Sequence, residues 1–134
     1  MGQLINNYPI TVVDNEAGLE HLSRRTTRRA DVLLLVSDSS LRGLQAVKRI
    51  ADLVSELKIE IGKMGLVVNR LLGDLSPEFT RQIAEMGFPL LAAIPHDPVL
   101  SALDGQGQPL VNLPPDAAAA IKVSELTAGL RGEA

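Results

Sequence analysis

Residues 31–37, Asp-Val-Leu-Leu-Leu-Val-Ser, are apolar with no alternation of faces. A half-solvated strand alternates apolar and polar residues, so an unbroken run of this kind reads as a strand covered by helices on both sides of its sheet. Three further runs share its character: Ile10 to Val13 closed by Asp14, Gly65 to Asn69, and Pro89 to Ile94 closed by Pro95. Segments of helical period separate them. This alternation predicts an α/β fold: an open, mainly parallel, Rossmann-like sheet of about four strands with helices on both faces and residues 31–37 at its centre.

The intervening segments carry their own signals. Apolar residues at 41, 44, 47, 50, 51, 54 and 57 form a helical stripe, with Arg42, Lys48, Arg49, Asp52 and Glu56 on the opposite side. Ser76-Pro77-Glu78 supplies an N-cap, a proline at the first helical position and an early acid, and Gly87 ends that helix. A helix is expected at Gly18 to Arg28, and Asp116 is the expected cap of an alanine-rich helix reaching about Ala128. Residues 98–115, with their Pro, Gly, Asp and Asn, read as loop with at most one helical turn at Val99 to Leu103.

At 134 residues and 46% hydrophobic the chain fits one domain, 1–134, able to bury a core without staples. It has no Cys, which excludes disulfides, thiolate metal sites and cysteine nucleophiles, and His21 and His96 lie too far apart in sequence for a His-x-x-His motif. No transition-metal site within one chain is expected. A net charge of −3 argues against nucleic acid as a partner, and no apolar run approaches the length of a membrane span. Residues 1–7 lack the basic start and apolar centre of a secretory signal, so the expected compartment is the cytoplasm. The basic run Arg24-Arg25-Thr26-Thr27-Arg28-Arg29 complements the end of the first helix, with a docking patch for an acidic partner as the alternative.

Ligands of open parallel sheets bind at the carboxyl ends of the strands, and three such ends carry candidate residues. Asp14 could hold Mg2+ through water, and Gly18 lets backbone approach a phosphate; equally, Asp14 or Asn15 could cap the next helix. Asn69 offers a donor and an acceptor on one amide, which suits a purine edge, and Arg70 could lie over a base; a turn-forming Asn followed by a solvated Arg fits as well. In Ile94-Pro95-His96-Asp97-Pro98 two prolines stiffen the last loop and orient its backbone, with or without a ligand.

Taken in order, DNEAGLEHLSRRT, ADVLLLVSDSSLRGLQAVKRI, GLVVNR and PLLAAIPHDPVL resemble the carboxyl-terminal half of the MinD/ParA/nitrogenase-iron-protein class of P-loop ATPases. Within that class the chain looks most like the CooC-type accessory ATPases, which mature carbon monoxide dehydrogenase by assisting nickel insertion. The resemblance covers nearly all of residues 10–130, and DNEAGLEHLSRR is its most specific stretch. It implies ATP or ADP with Mg2+ as cofactor and a homodimer that serves a carbon monoxide dehydrogenase-type metalloenzyme. It further implies that Asp14 and Gly18 belong to a switch segment sensing Mg2+ and the γ-phosphate, and that Asn69 reads adenine beside Arg70. The backbone of Pro95, His96 and Asp97 would border the base, and Ser37 and Asp38 would lie near nucleotide and dimer interface.

The sequence departs from that class in two respects. The phosphate-binding pattern Gly-x-x-x-x-Gly-Lys-Ser/Thr does not occur; Gly62-Lys63 sits between Ile61 and Met64, and Gly105-Gln106-Gly107 has no lysine. The Cys-x-Cys pair linked with metal in the CooC type is absent as well. The expectation is therefore a partial nucleotide-binding domain with no catalytic residues of its own and little or no ATPase activity alone. In that class the phosphate-loop strand lies between the strands matching 10–14 and 31–37, so its absence opens a gap of about 10 Å. Self-association is the expected way to cover the exposed edges. Two alternatives stand beside this reading: a non-catalytic self-associating interaction module, and a MinD/ParA-like fragment unrelated to nickel.

Overall fold

The computed structural model describes residues 9–15 and 29–132. Three parallel strands form the sheet in the order β1 (Arg29–Ser37), β2 (Glu60–Leu71), β3 (Leu90–Pro95). Each parallel pair needs a crossover, and helices supply it: α1 (Leu41–Glu56) joins β1 to β2, and α2 (Pro77–Met86) joins β2 to β3. After β3 come α3 (Pro98–Gly105), a short 3-10 turn (Leu110–Asn112) and α4 (Ala118–Arg131).

The helix ends follow local chemistry. Ser40 Oγ accepts from the Gly43 N–H at 3.0 Å to start α1, and Ser76 Oγ accepts from the Phe79 N–H at 3.1 Å to start α2. Gly87 ends α2 in the left-handed conformation at φ 79°. The apolar stripe of α1 then lands Leu44 and Val47 against Leu35, Leu66 and Val68, with Phe79 and Ile83 of α2 completing a core in which Phe79 is 0% exposed. A second cluster on the other face joins Val67 and Ile94 to Ala119, with Leu34, Leu100 and Leu126 packed around it. Helices thus cover both faces, as the sequence predicts.

Other expectations need correction. The sheet has three strands among the described residues, where about four are expected, because Ile10 to Val13 forms no strand. Ile10 is 54% and Val12 87% exposed; without a neighbour to share a ladder, an extended apolar segment has nothing to dock on. Among the described residues, 31–37 stand at the edge of the sheet and not at its centre: β1 pairs there only with β2, and Val36 at its far end is 59% exposed because α4 lies over β3 instead. Residues 98–105 form α3 where mainly loop is expected, since Asp97-Pro98 is a cap followed by a first-turn proline. Finally, α4 begins at Ala118 with no cap from Asp116; the carboxylate of Asp97 meets its N-terminus. The expected helix at 18–28 lies outside the described residues.

Candidate functional site

Parallel strands end on one side of a sheet, and the register brings three candidate segments to that edge. Ser37 pairs with Val68, Val68 with Ala93, and Leu71 with Pro95, so Ser37-Asp38, Asn69-Arg70 and Pro95-His96-Asp97 lie side by side. Asp14 is in the exposed segment 9–15, outside the sheet, and Gly18 lies outside the described residues.

At the β1 corner the chain turns tightly. Buried Ser37 donates its hydroxyl to the Asp38 carbonyl at 2.8 Å, and exposed Asp38 accepts from both the hydroxyl and the N–H of Ser40. The Ser40 hydroxyl first, then its amide, hold the Asp38 carboxyl below the usual carboxylate range, and the nearby Arg70 charge acts in the same direction. A Cβ on Gly43 would come within 2.5 Å of Asp38 Oδ1 and Ser37 Oγ, so this glycine is what lets the turn fold onto the first turn of α1.

At the β2 corner the ladder is irregular. Three steps along β2, from Val68 to Leu71, match two along β3, from Ala93 to Pro95. The extra residue is a bulge, and Arg70 takes it up in the left-handed region at φ 53°, which a non-glycine residue rarely adopts. Oδ1 of half-buried Asn69 accepts the Arg70 N–H at 2.9 Å, leaving the Arg70 side chain exposed at the rim. The ladder recovers at once, where Leu71 O accepts from the His96 N–H at 2.8 Å.

At the β3 corner Pro95 is half-buried, His96 exposed and Asp97 buried at 5% exposure. Asp97 Oδ1 accepts from the N–H groups of Val99 and Leu100, and its Oδ2 accepts from the Ala119 N–H at 2.9 Å. These amides, Ala119 foremost, hold its carboxyl below the usual range against the effect of desolvation. Both oxygens are committed, so only the backbone of this residue is free to face a ligand. Two of these features go beyond the sequence reading. The Asp-Pro signal could have marked Asp97 as a cap, but nothing in the sequence marks the bulge.

The donor set decides what this edge can hold. An amide, a guanidinium and a stiff backbone rim suit a flat base. A triphosphate with Mg2+ fits poorly: the sequence has no glycine-rich loop with its lysine, Asp38 is occupied by Ser40, and the described residues contain no group of three or more His, Asp or Glu placed to hold a metal ion. No helix among the described residues is long and apolar enough to cross a membrane.

No family model matches the chain. Among curated proteins it is 37% identical over 123 residues to an uncharacterized ATP-binding protein of Methanocaldococcus jannaschii, covering 92% of this chain and 49% of that protein. It is 32% identical over 104 residues to the carbon monoxide dehydrogenase accessory protein CooC of Rhodospirillum rubrum, covering 78% of this chain and 38% of CooC. The chain therefore spans half or less of the length of the curated relatives it matches. Among solved structures, the cell division ATPase MinD of Pyrococcus furiosus superposes with a TM-score of 0.60 at 26% identity, over 78% of this chain and 44% of MinD. MinD of Pyrococcus horikoshii, solved with Mg-ADP, gives 0.59 at 25% identity, over 75% and 41%.

Proposed function

We propose that this chain, similar in sequence to ATP-binding proteins and in fold to one part of MinD-type P-loop ATPases, is the base-recognising half of such a nucleotide-binding unit. The observation that carries this reading is the alignment of three strand ends on one edge, with Asn69 and Arg70 raised on a bulge between Asp38 and His96. In it, Asn69 contacts the purine edge, Arg70 lies against the ring or near phosphate, and the backbone of Pro95, His96 and Asp97 borders the base. Ser37 and Asp38 form the neighbouring corner, while Asp14 and Gly18 act in a switch segment that matters only where phosphate is held. The ligand is ATP or ADP, of which this edge takes the base, while the phosphates and their Mg2+ are held by groups outside it.

The phosphate grip comes from outside these 134 residues, because no glycine-rich anion loop occurs in them. Positioning and charge neutralisation at the phosphates supply most of phosphoryl-transfer catalysis, so the chain alone hydrolyses little ATP. Calorimetric titration with Mg-ATP tests this: weak binding is expected, and a Kd tighter than about 10 μM would refute the missing grip.

The likeness to CooC supports a narrower reading, a cytoplasmic role for a dimer in nickel insertion into a carbon monoxide dehydrogenase-type enzyme. It is tested by pull-down of such an enzyme with the purified chain, and absence of any complex in the presence and absence of ATP would remove it. The edge of β1, unpaired among the described residues, favours a second reading, a non-catalytic module that pairs with another chain. The two readings differ at Asn69, whose replacement matters for nucleotide in the first and for nothing in the second.

A further inference from the structure

The side-chain amide of asparagine usually has two orientations of similar energy, and inverting it exchanges donor for acceptor. A residue of that kind can read a base edge in either sense. Asn69 is different, because its Oδ1 accepts the N–H of the next residue, Arg70, at 2.9 Å. Inversion would turn the Nδ2 hydrogens toward that N–H, set two donors against each other, and give up this hydrogen bond, leaving the exposed Arg70 N–H to water. The geometry that brings the Arg70 N–H there is built into the sheet: the bulge between Val68 and Leu71 and the left-handed φ of 53°.

We propose that the Arg70 amide locks the Asn69 carboxamide in the one orientation that reads adenine and rejects guanine. The inference rests on the nucleotide-binding reading above and adds a specificity device to it. With Oδ1 fixed toward Arg70, Asn69 keeps one lone pair to accept and two Nδ2 hydrogens to give. Adenine answers that order, since its exocyclic N6 amine donates and the adjacent ring N1 accepts. Guanine and hypoxanthine carry the reverse order, an O6 acceptor beside an N1–H donor, and would set like against like. A free amide inverts to suit them; this one inverts only by giving up its bond to the Arg70 N–H.

The test is a two-dimensional NMR titration of the 15N-labelled full chain with AMP, GMP and IMP to millimolar concentration, followed at the Arg70 amide, with thermal melting of each variant. For the unmodified chain AMP is expected to bind about three- to tenfold more tightly than GMP or IMP. Asn69→Asp keeps the acceptor for Arg70 but offers no donor, so AMP affinity falls about tenfold or more with little change in melting. Asn69→Gln keeps an amide but moves it one methylene away from the lock, and the AMP-to-GMP ratio falls toward one. Arg70→Gly keeps the amide and tolerates the positive φ; it weakens both nucleotides alike and leaves the ratio in place.

Equal binding of AMP and GMP by the unmodified chain overturns the lock while leaving nucleotide binding intact. So does a ratio that survives in Asn69→Gln or disappears in Arg70→Gly. If none of the three nucleotides shifts any resonance, the nucleotide reading itself falls and the lock falls with it.

Discussion

Asp97 and Ala119 are joined across 22 residues of sequence by a 2.9 Å hydrogen bond from the Ala119 N–H to Oδ2 of the Asp97 carboxylate. The other oxygen accepts from Val99 and Leu100, so one buried side chain caps two helices, α3 and α4, and fixes the segment after β3 to both.

Asp97→Ala removes both caps at once and is expected to lower the melting temperature by about 5 °C or more. Asp97→Asn keeps an acceptor for Val99 but turns a donor toward the Ala119 N–H, so α4 loosens first. Hydrogen exchange at residues 118–122 reads this directly; exchange unchanged from the parent chain would show that the contact is dispensable.

The pH dependence follows from the same group. The folded-state pKa of Asp97 is depressed by its amide partners, so the stability it contributes is present above the ordinary aspartate value of about 3.8 and is lost as pH falls through that value toward the folded one. Urea midpoints measured from pH 6 to pH 3 should therefore fall in the parent chain and fall less steeply in Asp97→Asn. Parallel curves would remove Asp97 from the acid response.

Phe79 is 0% exposed at the meeting of α2 with β2. Truncation to Ala removes a ring that no neighbour can replace, at a cost of about 3–5 kcal/mol, enough to unfold much of a marginally stable domain. Circular dichroism during a urea titration checks it, and a loss below about 1 kcal/mol would mean that the core closes over the vacancy.

Gly43 lies in the first turn of α1, where Ala would ordinarily gain about 1 kcal/mol in helix propensity. Here its methyl group would press on Asp38 Oδ1 and Ser37 Oγ at 2.5 Å, and overpacking of this kind costs about 1–3 kcal/mol. The clash outweighs the propensity, so Gly43→Ala should lower the melting temperature; a rise would show that the 37–40 turn yields freely.

Val36 is 59% exposed on the edge strand β1. Light scattering after size-exclusion chromatography at micromolar concentration is expected to give a mass above 14.3 kDa, and Val36→Lys, a charge placed on an apolar edge strand, to shift it toward the monomer. A parent chain that runs as a clean monomer contradicts self-association through this edge.

Features fixed by neighbours in sequence were legible in it. Ser76-Pro77 and Gly87 bound α2 where expected because a cap, a first-turn proline and a left-handed glycine act within one turn. The same signature at Asp97-Pro98 was outweighed by the loop-forming composition of 98–115, so the helix Pro98–Gly105 was read as no more than one turn at Val99 to Leu103. Features set by distant partners were illegible. The position of residues 31–37 at the edge depends on which strand stands beside them, and apolarity alone cannot state that. The start of α4 depends on a carboxylate 22 residues earlier. At the site, the types at 69 and 70 were readable as purine-compatible chemistry, but the bulge that orients them requires a positive φ at an arginine, which sequence preferences argue against.

Among the described residues nothing pairs with the outer margin of β1, and a sheet can be extended along such a margin without disturbing its core. One more parallel ribbon on that margin would convert the corner at Ser37 and Asp38 from an outside ledge into the wall of a trough, with Asn69 and His96 standing further along the same wall. Whatever molecule contributes that ribbon then decides how deep the trough is and which anions can enter it.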